Sequence, residues 1–328
     1  MFPRKYKKQS KLKRFLLKLL NVYAFEKESF NLVNPNYKNN SKNYFKINDK
    51  SLILSSGYLN FKRKVKKLDI FFRYSPSNSL WNSTNRWKRI IPNINKEILI
   101  KVCILSLKES LMDFFKNNEL KISLNLISDN SNKKFDDELK YMLTSNHYDL
   151  NFYKSKIEGN RGSFLECCDQ ATKAEDLIFF IEDDYLFEKN TIEEVIFTYS
   201  RISTLLDNDI FLCPSDYPFY YDSEYQTSLF IGKEHRWRYV NETLLTILFS
   251  KSILIKHINL IREIGELENF PFEKPLHQIF NDIPCLAPVN SLSYHISRAI
   301  PAINENWLEL WNSNYKKLFK NNEYSGGP

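Results

Sequence analysis

From Leu68 onward the chain alternates short apolar runs with helix-length segments, and most of the apolar runs stop at polar or charged residues. LDIFFRY at 68–74, KISLNLIS at 121–128, YDLNFYK at 148–154, DLIFFIEDD at 176–184 and DIFLCPSD at 209–216 read as strands. Residues 97–115, 163–174 and 190–206 carry helix-like patterns between them. This alternation predicts an α/β fold, a mostly parallel sheet covered by helices, because a parallel pair needs a long crossover connection. Ligands of such sheets bind outside the carboxyl ends of the strands. That rule gathers Arg73, Asp129, the Glu182-Asp183-Asp184 run and Asp216 at one edge.

The sharpest local feature is IFFIEDDYLFE at 178–188. Three consecutive carboxylates after a buried strand repel one another and call for a cation or several hydrogen-bond donors. Hard divalent ions, magnesium or manganese, favour such oxygens and leave coordination positions for phosphate. A solvated turn in which Asp183 or Asp184 caps the next helix is the plainer alternative. The preceding EGNRGSF, residues 158–164, sets Gly159 and Gly162 around Asn160 and Arg161 before a helix. Glycines allow a tight turn there, and helix N-terminal amides receive anions. A GxGxxG fingerprint after the first strand and a P-loop are both absent, which argues against a dehydrogenase and an ordinary kinase.

Charge is unevenly spread. The formal net charge is +8, and the first twenty residues hold eight Lys and Arg with no acidic residue, so the rest of the chain is neutral. A nucleic-acid binder spreads its basic residues along a binding face, so no nucleic-acid partner is expected. KLKRFLLKLLNVYAF at 11–25 places Leu12, Phe15, Leu16, Leu19 and Leu20 on one helical face and Lys11, Arg14 and Lys18 on or near the other. Such a helix suits an anionic membrane surface, and equally suits docking on the protein's own body. No apolar run is long enough to span a bilayer. The five cysteines are scattered and lack metal-ligand spacing, which predicts buried free thiols and a cytoplasmic protein, peripheral at the membrane if the helix attaches there.

Three regions follow: a basic N-terminal extension with an Asn/Lys-rich linker at 1–67, the α/β domain at 68–300, and a helical tail at 301–328. In the second half of the domain, TSLFIG and HRWRYV read as a hairpin and residues 251–264 as a helix. Tyr220, Tyr221 and Trp237 are candidates for stacking on carbohydrate, or for the core.

SDNS at 128–131, the stretch from Glu158 to Leu186, and YHIS at 294–297 together resemble the GT-A glycosyltransferases. The likeness is to the bacterial polysaccharide-building, family-2-like sugar transferases, over roughly residues 68–297 as a domain extent. The resemblance implies a GT-A-type sheet, a nucleoside diphosphate sugar as donor, a glycan or lipid-linked acceptor, and Mn2+ or Mg2+ as cofactor. It maps Asp129 to the nucleotide base and Asn160 and Arg161 to the donor loop. Glu182-Asp183-Asp184 stands as a DxD-like motif, with Glu182 toward the ribose or the ion's hydration shell and Asp184 the foremost metal ligand, followed by Asp183. It also brings His295 back to the ion as a third protein ligand. An inverting transferase needs a base near the acceptor hydroxyl. Asp216, Asp222, Glu268, Glu273 and Asp282 are the carboxylates available, and the resemblance points to the Glu268–Glu273 region. The competing readings are a sugar nucleotidyltransferase and a noncatalytic carbohydrate-binding or membrane-associated assembly protein.

Overall fold

A computed structural model describes residues 44–47, 50–53, 61–77, 91, 94–221, 227–264, 266, 273–296 and 307–323. The basic segment 1–25, Asp222 and Glu268 lie outside the described residues. The chain divides into two compact units, residues 1–62 and 63–328. In the first, β1 (Tyr44–Ile47) and β2 (Lys50–Ile53) form an antiparallel pair with Phe45 opposite Leu52. Part of the passage expected as a linker therefore carries strand structure.

The second unit is built on a nine-stranded sheet. Its strands are β3 (Lys67–Tyr74), β4 (Lys121–Ser128), β5 (Asp149–Lys154), β6 (Leu177–Glu182), β8 (Phe211–Leu212), β9 (Leu229–Ile231), β10 (Arg236–Val240), β11 (Ile247–Ser250) and β12 (Cys285–Pro288). They run in the order β5-β4-β3-β6-β11-β8-β12-β10-β9. The β5-β4-β3-β6 half is wholly parallel, and β11 is antiparallel to both of its neighbours. The sheet is mixed but largely parallel and flanked by helices, in agreement with the expected GT-A-type architecture. β3 reads as an almost unbroken apolar run because it is buried on both faces.

Helix α1 (Lys96–Phe114) starts where the Asn95 side chain accepts the Glu97 and Ile98 N–H groups. One of its faces, with Ile100, Ile104, Leu107 and Leu111, joins the main core. Another, with Leu99, Val102, Cys103 and Leu105, enters a second apolar cluster. A helix buried on two sides needs no narrow apolar stripe. The remaining helices are α2 (Lys133–Leu143), α3 (Asn160–Ala171), α4 (Thr191–Leu206), α5 (Lys251–Lys256), α6 (Ile258–Arg262), α7 (Lys274–Ile279) and α8 (Trp307–Glu323).

Two expectations needed adjusting. The helix at 251–264 is two short helices meeting at His257, whose φ of −116° leaves the helical region. The strand at 209–216 keeps ladder pairing only at Phe211–Leu212, and Pro214, which has no N–H to donate, turns its carbonyl to Leu292 and Ser293 N–H instead. The hairpin of β9 and β10 is present as expected. All five cysteines are free and buried, and burial pushes the Cys168 thiol up to about 12. Among the described residues no helix is long and apolar enough to cross a membrane.

Candidate active site at the carboxyl end of β3 and β6

β6 ends at Glu182, the backbone turns at Asp183 and Asp184, and the chain continues as β7 (Tyr185–Phe187). β7 pairs antiparallel with β13 (Ser293–His295), Tyr185 opposite His295. The Ile296 N–H donates to the Asp184 carbonyl at 2.8 Å, which continues the pairing past the strand ends. Leu186, Tyr294 and Ile296 sit in the second apolar cluster with α1 and with Trp311 and Leu318 of α8. The Tyr185 and Tyr217 hydroxyls, 2.6 Å apart, tie β7 to the segment after β8. Burial and backbone pairing, not flexible loops, fix where Asp184 and His295 stand.

The three consecutive carboxylates face three different basic side chains. Glu182 Oε1 meets Arg73 Nη2 at 2.7 Å, Asp183 Oδ1 meets Lys96 Nζ at 2.6 Å, and Asp184 Oδ2 meets His295 Nε2 at 3.2 Å. Asp183 also accepts the Ser75 N–H at 2.9 Å. Burial pushes the Glu182 carboxyl up against the opposing charge of Arg73, and the Asp184 charge adds to the rise. Asp183 is likewise raised by burial, with Lys96 opposing. Burial pulls the His295 imidazole down, but Asp184 outweighs it and leaves His295 above its ordinary value. All three shifts favour added protons, the signature of negative charge crowded into a poorly solvated place.

A divalent cation would relieve that crowding. Glu182, Asp184 and His295 each offer a ligand atom within 4.8 Å of the other two. These three side chains would be the ones to hold such an ion. Two carboxylate oxygens and an imidazole suit magnesium or manganese. The donor set fits the cofactor, with Asp183 outside the group.

Arg73 joins Glu182 to the start of α3. Its Nη1 donates to the Asn160 carbonyl at 2.9 Å and to Asn160 Oδ1 at 2.8 Å, and its guanidinium lies over the Phe164 ring. Asn160 opens α3 behind Gly159, whose φ of +98° a side chain would strain. Gly159 has no side chain with which to cap the helix, so the first turn of α3 keeps amides available to an anion. Asp129 closes this side by accepting the Gly159 N–H at 3.0 Å. Arg73, Lys96, Asp129, Asn160, Glu182, Asp183, Asp184 and His295 thus line one cavity of about 140 Å³.

Three other residues named from the sequence stand elsewhere. Arg161 turns to Glu266 at 2.6 Å. Asp216 is buried in an ion pair with Arg238 and accepts the Tyr221 hydroxyl at 2.5 Å; it does not line the cavity. Glu273 precedes α7, near enough for its charge to add to the rise of Glu182. Trp237 cannot stack on a sugar, because it is fully buried and donates Nε1–H to Glu194. Sequence reasoning missed Lys96. Its only signal was a lysine directly after a capping asparagine, one of many lysines in the chain.

No protein-family model matches the chain, and no curated protein matches it. Among solved structures, S. aureus TarS 1–349 is similar over 70% of this chain and 60% of that one, with 12% identity and a TM-score of 0.44. A structure of S. aureus TarS aligns over 74% of this chain but only 38% of that one, with 14% identity and a TM-score of 0.43. A UDP-glucose pyrophosphorylase complexed with UDP-glucose aligns over 78% of this chain and 99% of that one, with 10% identity and a TM-score of 0.41. The chain thus spans less than two thirds of either TarS structure. At these scores the likeness says nothing of activity.

Proposed function

We propose that the chain is a metal-dependent glycosyltransferase, a hexosyltransferase of the family-2-like kind, moving a sugar from a nucleoside diphosphate donor to a glycan or lipid-linked acceptor. One observation carries the reading. Glu182, Asp184 and His295 converge at the carboxyl end of a parallel sheet, in a cavity that Arg73 and Asn160 also line. A cavity of about 140 Å³ with this lining suits a compact charged group. Small-molecule pockets run to roughly 300–1,000 Å³. The diphosphate therefore sits inside, while sugar and acceptor lie beyond its mouth.

Glu182, Asp184 and His295 would hold a divalent ion, which would supply positive charge to the diphosphate. Arg73, fixed by Glu182 and Asn160, adds a second positive group without having to reorganise. Asp129, at the end of β4, holds the base or ribose. In the transfer, the acceptor hydroxyl oxygen bonds to the anomeric carbon and the carbon–phosphate-oxygen bond breaks, its electron pair leaving with the nucleoside diphosphate. The hydroxyl proton passes to a carboxylate base. Asp216 does not line the cavity, whereas the Glu273 charge reaches Glu182, which favours Glu273 over Asp216 and Asp282 among the described candidates.

The test is a panel of nucleoside diphosphate sugars with Mn2+ or Mg2+, followed by release of nucleoside diphosphate. Release of pyrophosphate from a nucleoside triphosphate and a sugar phosphate would instead mark a nucleotidyltransferase, and binding without turnover a noncatalytic protein. The same reading places the protein in the cytoplasm, with residues 1–25 attached to an anionic membrane surface. Deleting residues 1–25 should then abolish cosedimentation with anionic liposomes and leave the weak response to neutral ones unchanged. Unchanged anionic binding after deletion would reject the anchor.

A further inference from the structure

The middle carboxylate of the Glu182-Asp183-Asp184 run has partners of its own, Lys96 and the Ser75 N–H. Asp183 is not among the three residues whose ligand atoms cluster; it holds Lys96 Nζ at 2.6 Å and the Ser75 N–H at 2.9 Å. Lys96 is the first residue of α1, and its side chain is 11% exposed. Two physical effects oppose a lysine there. The helix N-terminus carries positive partial charge, which repels a cation. Burial strips a strongly hydrated ammonium of its water, a cost that the charges of Asp183 and Asp184 offset. Replacing a buried ion pair by apolar residues of similar volume often costs no stability, so stability alone does not call for a lysine here. What the pair does provide is an ammonium fixed on the wall of the cavity that holds Arg73, Glu182, Asp184 and His295.

We propose that Lys96 binds the diphosphate of the nucleotide ligand, and that Asp183 is the residue that positions this lysine and is not a ligand of the ion. The proposal deepens the glycosyltransferase reading and rests on it for the identity of the ligand. It divides the acidic run by function: the outer carboxylates and His295 would hold the ion, and the middle one aims a cation at the phosphates. Arg73 lines the same cavity, joined to Glu182 as Lys96 is joined to Asp183. Each cation is thus held by a different member of the same run. Lysine suits the task because a point charge on a flexible stem follows a phosphate oxygen without demanding the planar geometry of a guanidinium.

The experiment reads binding and needs no turnover. Mn2+ is titrated calorimetrically into the metal-free full-length protein, and inorganic pyrophosphate is then titrated into the Mn2+-saturated protein. The variants are K96M, K96R, D183N, D184N and the charge-balanced double variant K96M/D183N, each checked for a wild-type circular dichroism spectrum. The double variant leaves no unpaired buried charge, so it stays informative where a single variant fails to fold. The expected result is that K96M and K96M/D183N bind Mn2+ within about twofold of wild type but lose about tenfold or more in pyrophosphate affinity, the size of a lost charge-assisted hydrogen bond. K96R should recover part of that loss. D183N should keep its Mn2+ affinity, and D184N should lose it.

Pyrophosphate affinity unchanged in K96M/D183N would overturn the role of Lys96, as would a wild-type protein that binds no pyrophosphate. A fall in Mn2+ affinity in D183N equal to that in D184N would make Asp183 a ligand and overturn its positioning role. Failure of the parent reading looks different: pyrophosphate binding remains dependent on Lys96 while no nucleoside diphosphate sugar is turned over.

Discussion

His295 Nε2 lies 3.2 Å from Asp184 Oδ2, at the place where antiparallel β13 and β7 set His295 opposite Tyr185. The histidine arrives from a distant part of the chain, yet backbone pairing on one side and the second apolar cluster behind it fix its position. Removing the ring should therefore harm ion binding more than folding. For His295→Ala, Mn2+ affinity measured by paramagnetic resonance should fall by about tenfold or more, with little change in the melting curve of the ion-free protein. Wild-type affinity in the variant would take His295 out of the ion site.

Arg73 binds Glu182, the Asn160 carbonyl and the Asn160 side chain at once, which needs a planar fork with several donors. Arg73→Lys keeps the charge and loses that geometry. Urea denaturation should show a loss of about 2–3 kcal/mol, the range for breaking charged hydrogen bonds in a buried place. A loss below roughly 0.5 kcal/mol would show that the fork is not needed.

Glu194 is buried on α4, where its carboxylate accepts the Lys233 and Glu234 N–H groups, Trp237 Nε1–H and the Thr198 hydroxyl. It holds the β9–β10 hairpin to the helix. A Cβ on Gly232 would collide with Glu194 Oε1, Thr198 Oγ1 and Trp237 Nε1. Both Glu194→Ala and Gly232→Ala should lower stability in urea, by about 3 and about 2 kcal/mol respectively, through orphaned donors and overpacking. Near-neutral results for both would mean that the hairpin is held by something else.

Asp209 supplies a pH signature away from the candidate site. Burial raises its carboxyl, but hydrogen bonds from Ser252, Tyr199 and Ser250 and the charge of Arg63 outweigh burial and leave the pKa below its ordinary value. A depressed folded-state pKa contributes stability that is complete above the unfolded value of about 3.9 and is lost as pH falls through the folded one. Asp209→Asn should therefore cost about 1–2 kcal/mol at pH 7, a deficit that shrinks below about pH 4. Denaturation curves of both proteins from pH 3 to 7 test this, and a deficit independent of pH would contradict it.

The parallel half of the sheet was legible in the sequence because its strands are buried on both faces and written in apolar residues; KISLNLIS is the observed β4 without adjustment. The start of α3 was not. It begins at Asn160, three residues before the apolar pattern, behind a glycine with no capping side chain. The strand-end rule set Arg73, Asp129 and Glu182 at one sheet edge, and all three line the same cavity. It did not separate Asp216, whose partner Arg238 comes from β10 through a register that periodicity cannot reveal. Pattern also cannot tell which way each of three adjacent carboxylates turns. Lys96 went unseen for that reason: its importance lies in a contact with Asp183 across the sheet edge.

Calorimetric titration of a nucleoside diphosphate sugar, with and without Mn2+, against wild type and Asp184→Asn tests the central claim most directly. The account predicts that Mn2+ strengthens donor binding to the wild type and that Asp184→Asn, still folded, loses this dependence. Equal Mn2+-dependent affinity in the two proteins would contradict it.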